Sequence, residues 1–289
     1  MTLDEARKRI ITAIGSIYEQ DEAKNIAELL MEHITNLPAI ERIVKKHDLL
    51  REKEEKFLEQ SIKRLQNHEP IQYITNEAWF AGMKFYVDKN VLIPRPETEE
   101  LVEWVAKEVG SQKSDIRILD VGTGSGCIAI ALKNRMPHAE IWACDVSDEA
   151  LNVARMNADS LHAAIDFVPL NFLSVDQRRQ LPHVDVIVSN PPYVLQKEKT
   201  AMRKNVTEYE PFAALFVPDN DPLTFYEAIA EFGKEKLNTP GSIFVEIHED
   251  LAKEVKNLFL GKYYNSVEVR RDLQEKERMV KAVLHAPAG

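Results

Sequence analysis

Long apolar runs are missing from this chain. No stretch of about 18 apolar residues occurs, which removes a membrane-spanning helix. The opening Met1-Thr2-Leu3-Asp4-Glu5 lacks the cationic and apolar regions of a signal peptide, so a cytoplasmic location is expected. Cysteine is scarce: Cys127 and Cys144 suggest neither a disulfide framework nor a zinc or other metal cluster, and read as buried thiols. Positive charge is outweighed as well. A formal net charge of −10 argues against general affinity for nucleic acid, which draws on clustered Lys and Arg. No internal repeat or low-complexity tract is present. What is there, 289 residues with 44% apolar and 29% charged side chains, is an ordinary globular composition with enough length for one or two domains.

The patterning divides the chain into 1–68, 69–93 and 94–289. The first part reads as all-helical, with apolar residues at three- and four-residue spacing in Ile26, Leu29, Leu30 and Ile34, and again in Phe57, Leu58, Ile62 and Leu65. Thr2 and Glu5 have the spacing of a capping box. Acids and bases are nearly balanced there, so the module is no basic arm; a small bundle of this kind is expected to dock on the main domain or a partner. From Ile71 the runs become short and aromatic, Ile71-Gln72-Tyr73-Ile74 and Met83-Lys84-Phe85-Tyr86-Val87, which predicts a β-hairpin linker. Beyond Glu100 strands and helices alternate, the mark of an α/β sheet.

Within that last part, Ile118-Leu119-Asp120-Val121-Gly122-Thr123-Gly124-Ser125-Gly126 joins a β-rich run to alternating glycines and then to a helical pattern from Cys127. Strand, glycine turn and helix make a nucleotide-type pocket, with free N–H groups at the helix start. Dinucleotide binders use G-x-G-x-x-G. Here the spacing is G-x-G-x-G with Asp120 ahead, a carboxylate that would repel a diphosphate and suits the cationic amino-acid end of S-adenosylmethionine. The next strand, Glu140 to Asp145, ends in an acid suited to both hydroxyls of a ribose; Asp145 could instead cap the following helix, a task within reach of Ser147, which would leave Asp145 free. A third strand leads into Asn171-Phe172, read as flanking an adenine, or else as a turn residue and a core ring.

A further apolar strand, Val184 to Ser189, runs straight into Asn190-Pro191-Pro192-Tyr193. The Asn190 side-chain oxygen and the Pro191 carbonyl each accept one N–H of a planar –NH₂, the prolines stiffen the turn, and Tyr193 offers a face to stack on that plane. The reading is N-methylation. Arg95, held between Pro94 and Pro96, fits an active-site wall or a structural salt bridge. The polar stretch from Val194 to Asp221 is long for a compact domain and reads as a lid or substrate-contacting segment.

Taken together these residues resemble the release factor glutamine methyltransferases, within the class I S-adenosylmethionine-dependent methyltransferases. The resemblance rests on His68-Glu69-Pro70-Ile71-Gln72-Tyr73-Ile74, Val91 to Glu99, Asp120 to Gly126 and Ser189 to Tyr193, in order. It implies an α/β, Rossmann-like seven-stranded sheet with a small N-terminal helical domain, S-adenosylmethionine as cofactor, and methylation of the glutamine amide in the Gly-Gly-Gln loop of peptide chain release factors. The helical domain would help hold that protein, with no direct role for nucleic acid or membrane. Four positions depart from the pattern: Asn76, His248 and Glu275 where Gly is usual, and Asn171 where Asp is common. Asn-Pro-Pro-Tyr is shared with DNA adenine N6 methyltransferases, the rival reading. Those need a cationic DNA track and usually a large recognition domain, and neither is visible here.

Overall fold

The computed structural model describes residues 1–110, 115–262 and 264–284. They form two compact units, Met1–Glu77 with Arg203–Tyr209, and Ala78–Met202 with Glu210–Gly289. The first unit packs helices Leu3–Ile14, Gln20–Thr35 and Glu52–Gln66 around Ile10, Ile14, Leu30, Met31, Leu58 and Leu65. Its opening helix is capped reciprocally: Glu5 N–H donates to Thr2 Oγ1 at 3.2 Å and Thr2 N–H to Glu5 Oε2 at 2.8 Å. The returning segment belongs to this unit through Arg203 Nη1, 2.9 Å from Glu22 Oε1, and Tyr209, whose hydroxyl donates to the Asn67 carbonyl at 2.7 Å.

The second unit opens with a hairpin, β1 (Glu77–Phe80) and β2 (Met83–Tyr86). It continues with β3 (Arg117–Val121), β4 (Glu140–Asp145), β5 (Asp166–Pro169), β6 (Val184–Ser189), the short pair β7 (Val194–Leu195) and β8 (Phe216–Val217), then β9 (Leu237–Glu246), β10 (Ser266–Arg271) and β11 (Glu277–Leu284). Seven of these form one sheet in the order β10-β11-β9-β6-β3-β4-β5, with β11 antiparallel to both its neighbours and the other pairings parallel. β6 is buried along its whole length, as a central parallel strand covered on both faces must be. Two core layers form, one around Trp104, Ile118, Ile130 and Val188, the other around Leu119, Ile187, Tyr226 and Phe259. The strand order reverses between β3 and β6, the place where open α/β sheets bind ligands.

Three local expectations change. Ile71-Gln72-Tyr73-Ile74 is a helix, Ile71–Thr75, and the hairpin starts later, at Glu77. Pro70 precedes that turn and its carbonyl accepts the N–H groups of Tyr73 and Ile74, while Ile71 and Ile74, three apart, are both buried. The helical unit accordingly extends past residue 68 and gains Arg203–Tyr209. The stretch Val194 to Asp221 is not structureless: it holds β7, a 3₁₀ turn over Gln196–Ala201, two single-turn helices and β8.

At two of the positions where Gly is usual in the resembled pattern, the backbone shows why glycine suits them. Asn76 and Glu275 have φ of 55° and 65°, the left-handed region that glycine enters freely. Asn tolerates it, and closes the Ile71–Thr75 helix. Glu275, in the β10–β11 turn, has no such local advantage. Its N–H donates to the Asp272 carbonyl and its carbonyl accepts from Arg271 Nη1 at 3.2 Å, and neither bond uses the Glu275 side chain. Glu275→Gly is therefore expected to stabilise the chain by on the order of 1 kcal/mol in urea unfolding, the usual penalty for a non-glycine residue there net of glycine's greater unfolded freedom. A lower midpoint in the variant would contradict this account of the turn.

Candidate active site

Sheet register places the site. Cys144 on β4 pairs with Val121 on β3, Val121 with Ser189 on β6, and Ser189 with Val245 on β9. The next residue of each strand therefore lies along one sheet edge: Asp145, Gly122, Asn190 and Glu246. The central pair is tied further by the Ser189 hydroxyl, which donates to the Val121 carbonyl at 2.7 Å.

The glycine loop is drawn back onto β4, since both Gly122 N–H and Thr123 N–H donate to the Cys144 carbonyl at 2.9 and 3.0 Å. Gly122 and Gly124 have positive φ, and a Cβ on either would enter open space. Gly126 has positive φ as well, and there packing adds a second reason: a Cβ would sit 3.2 Å from that of Ala154. Asp120 is fully buried; Thr123 Oγ1 donates to its Oδ2 at 2.6 Å, while its Oδ1 and the Ser125 hydroxyl have no hydrogen-bond partner. Burial pushes the Asp120 carboxyl from 3.8 up to about 7. Buried polar atoms left unpaired beside an open, glycine-lined turn fit a ligand that supplies donors. Asp145, expected to be free, is not: its Oδ2 accepts the Gly124 N–H at 2.9 Å and its Oδ1 the Ser147 N–H at 3.0 Å. Each oxygen keeps a lone pair for another donor. Ser147 caps the following helix by accepting the Ala150 N–H.

Asn190 lies at the end of β6 and is half-buried. Its Nδ2 donates to Thr98 Oγ1 at 3.0 Å, and that hydroxyl donates to Glu246 Oε2 at 2.7 Å. The Tyr193 hydroxyl donates to the other oxygen, Oε1, at 2.9 Å. Glu246 is 1% exposed. Burial raises its carboxyl above the usual range, opposed by the Thr98 and Tyr193 hydroxyls and by the Arg278 guanidinium. Burial and the Glu246 charge likewise hold the Tyr193 hydroxyl well above 10.0. Pro191 is buried and Pro192 half-buried, so the turn is packed as well as conformationally stiff.

Other expected positions divide. Phe172 is a core ring, edge-on to Phe232 at 5.3 Å, and Asn171 is an exposed turn residue whose Oδ1 accepts the Leu173 N–H at 3.0 Å. Arg95 forms the structural salt bridge: its Nη2 lies 2.6 Å from Oε1 of buried Glu210, whose Oε2 accepts the Ile93 N–H at 3.2 Å. That bond anchors the point where the chain returns from Arg203–Tyr209. Cys144 is buried and Cys127 partly so, with burial raising the Cys127 thiol to about 12. His248, the third departure from glycine, has φ of −68°, so no backbone strain called for glycine. Its Nδ1 accepts the Asp250 N–H at 3.2 Å and its Nε2 lies 3.2 Å from Glu198 Oε2.

Three functional neighbours escaped the sequence reading: Thr98, Glu246 and Asn157. Asn157 is buried; its Oδ1 accepts the Tyr86 N–H at 2.7 Å and its Nδ2 donates to the carbonyls of Tyr86 and Ser125, both at 2.9 Å, binding the hairpin to the glycine loop. The signal available was polarity on an apolar face. An acid closes the run Ile243-Phe244-Val245-Glu246, and Asn157 lies three residues from Ala154 on the buried side of its helix.

Two family models match this chain: one described as the methyltransferase small domain over residues 98–208, and one described as the PrmC N-terminal domain over residues 5–75. The release factor glutamine methyltransferase of Flavobacterium psychrophilum is 39% identical to it over 97% of this chain and 99% of its own length. That of Bacteroides thetaiotaomicron is 41% identical over 93% of this chain and 96% of its own. A solved methyltransferase from Pyrococcus furiosus, 17% identical, covers 78% of this chain and 99% of its own with a TM-score of 0.53, a likeness of fold alone.

The buried Asp120 makes stability depend on pH. Folded, it keeps its proton to about 7; unfolded, it releases it near 3.8. The folded state thus holds the extra proton between those values, and stability falls as pH rises through that window, by at most about 1.4 kcal/mol per unit from this group. Asp120→Asn removes the contribution. Urea midpoints of the ligand-free protein, followed from about pH 4 to about pH 8, are expected to decline more steeply in the parent than in the variant. Parallel curves would show that Asp120 does not carry the proton.

Proposed function

The chain belongs to the release factor glutamine methyltransferase family, and on that footing we propose how its own residues carry the reaction. The protein is an enzyme that moves a methyl group from S-adenosylmethionine to a glutamine side chain of peptide chain release factors. We assign the acceptor as the amide nitrogen, N5, of the glutamine in their Gly-Gly-Gln loop. The observation that carries this is the orientation of Asn190: with Nδ2 turned to Thr98, its Oδ1 is left as an acceptor at the sheet edge beside the glycine loop.

An amide nitrogen is a weak nucleophile because its lone pair is conjugated, so placement has to supply much of the rate. Asn190 Oδ1 and the Pro191 carbonyl each accept one N–H of the substrate amide. Together they fix its plane and stabilise the positive charge that builds on nitrogen. The ring of Tyr193, tethered through its hydroxyl to Glu246, packs on that plane. As the N–C bond forms the C–S bond breaks, and the extra proton leaves to water. No strong base is needed, because an N-alkylated amide cation is acidic.

S-adenosylmethionine supplies an electrophilic methyl on a sulfonium. Asp120 and the loop Gly122-Thr123-Gly124-Ser125-Gly126 take its charged amino-acid end, where Asp120 Oδ1 lacks a partner in the protein. Asp145 takes the ribose hydroxyls with the lone pairs its backbone bonds leave over, and Asn171 the adenine edge. Phe172 supports that wall from the core, and Arg95 holds the loop ahead of Thr98 in place through Glu210. The helical unit holds the release factor, in the cytoplasm and without nucleic acid. Among the described residues no helix is long and apolar enough to cross a membrane.

Mass spectrometry of release factor after incubation with S-adenosylmethionine is expected to show one added methyl on that glutamine, with no methyl on DNA offered in parallel. Asn190→Ala should abolish the gain while S-adenosylmethionine binds with similar strength by calorimetry. Asp145→Ala should do the opposite, weakening cofactor binding by roughly tenfold or more, the scale of a lost charge-assisted hydrogen bond. Unchanged turnover in the first variant, or parent affinity in the second, removes that residue from its assigned place.

A further inference from the structure

Glu246 is a buried carboxylate that the chemistry above leaves without a task. Its side-chain hydrogen bonds run to Thr98 and Tyr193 and not to the glycine loop, yet burying a charge is expensive unless its partners are good. Its partners are two hydroxyls. Thr98 donates to Oε2 at 2.7 Å and Tyr193 to Oε1 at 2.9 Å, each a charge-assisted bond. Thr98 and Tyr193 are the donors in both bonds, so both hydroxyl protons point at the carboxyl group.

The consequence falls on Asn190. With its single proton committed to Glu246, Thr98 Oγ1 can offer its other neighbour lone pairs only. The Asn190 group facing it, 3.0 Å away, must be the donor Nδ2. An asparagine amide otherwise turns over readily, since its two ends differ little in shape. The reversed orientation would present –NH₂ to the substrate –NH₂, donor against donor.

We infer that Glu246, acting through Thr98, is the positioning residue that locks the Asn190 carboxamide with its oxygen toward the substrate amide, and through the Tyr193 hydroxyl sets the ring beside it. The inference rests on the reading of Asn190 as the substrate's acceptor. Neither Thr98 nor Glu246 is a catalytic residue in this scheme, because neither touches a reacting atom. They select one of two orientations of a group that does.

Two substitutions separate this role from simple support of the fold. Thr98→Val keeps the shape but removes the oxygen; Thr98→Ser keeps the oxygen and drops a methyl. The first is expected to lower kcat by about 10- to 100-fold, the scale of a misplaced reacting group, and to lower the melting temperature because buried Glu246 loses a donor, with S-adenosylmethionine affinity held. The second is expected to stay near the parent. Glu246→Gln replaces a double acceptor by one acceptor and one donor, so one hydroxyl must turn round. When that hydroxyl is Thr98, its proton meets Asn190 and the carboxamide flips; kcat should fall while cofactor affinity holds.

Parent-level kcat in Thr98→Val overturns the inference, as does an equal loss in Thr98→Ser, which would make the methyl group responsible. So does a parallel loss of S-adenosylmethionine affinity, the sign of general damage to the site. Should Thr98→Val fail to fold, Thr98→Ala, which also removes the oxygen between Asn190 and Glu246, decides in its place, and parent-level kcat there overturns the inference. Asn190→Ala run alongside keeps the two levels apart. An active Asn190→Ala enzyme sinks the acceptor reading itself, whereas an inactive one beside a fully active Thr98→Val enzyme sinks only the lock.

Discussion

The parallel pairing of β3 with β6 is the constraint on which the rest of this molecule depends. Val121 stands opposite Ser189, the Ser189 hydroxyl closes on the Val121 carbonyl at 2.7 Å, and the two chain segments that leave those residues are forced to be neighbours. One becomes the glycine loop and the other the Asn-Pro-Pro-Tyr turn. Because strands diverge in order at this point, no crossover covers the gap between them. A methyl donor and a methyl acceptor can thus be held on adjoining strand ends, with β4 contributing Asp145 on one side and β9 contributing Glu246 on the other. A slip of one residue in either pairing would turn these side chains to the opposite face of the sheet.

That edge is also where the protein holds its least comfortable groups. Asp120 and Glu246 are carboxyl groups at 0% and 1% exposure, and both have raised proton affinities because burial disfavours their charged forms. Neither has a full ion-pair partner in contact. Glu246 is compensated by two hydroxyls and the more distant Arg278; Asp120 by one hydroxyl, with an oxygen left over. A fold selected for stability alone would replace such groups with apolar ones. Their placement on a single edge, next to strand ends rather than scattered through the core, is what a site prepared for a cationic ligand and a fixed amide requires.

The fold was legible where local pattern decides it. The helical face of Leu58, Ile62 and Leu65, the capping box of Thr2 and Glu5, and the buried strand Val184–Ser189 all depend on neighbours in sequence. The glycines that must adopt positive φ were legible for the same reason, as was Asn190, set off by its two prolines. Legibility failed where partners are distant. Thr98 and Glu246 lie 148 residues apart, and only the sheet register brings them to the same asparagine. Phe172 could be read as an adenine wall or a core ring, and Phe232, far along the chain, decided for the core. Ile71-Gln72-Tyr73-Ile74 has an aromatic, β-like composition, yet the preceding Pro70 and the left-handed Asn76 make it a helix. The usual glycines at Asn76 and Glu275 became intelligible only once their φ values were known.

The central claim is that a planar amide is gripped by the Asn190 oxygen and the Pro191 carbonyl, in line with a methyl donor seated on the glycine loop. A crystal structure of the enzyme with S-adenosylhomocysteine and a release factor tests it most directly. The glutamine amide nitrogen is expected at about 2.9 Å from both Asn190 Oδ1 and the Pro191 oxygen, with the Tyr193 ring against its plane and the homocysteine sulfur on the opposite side. A glutamine held with its oxygen toward Asn190, or an Asn190 turned so that its nitrogen faces the substrate, would contradict it.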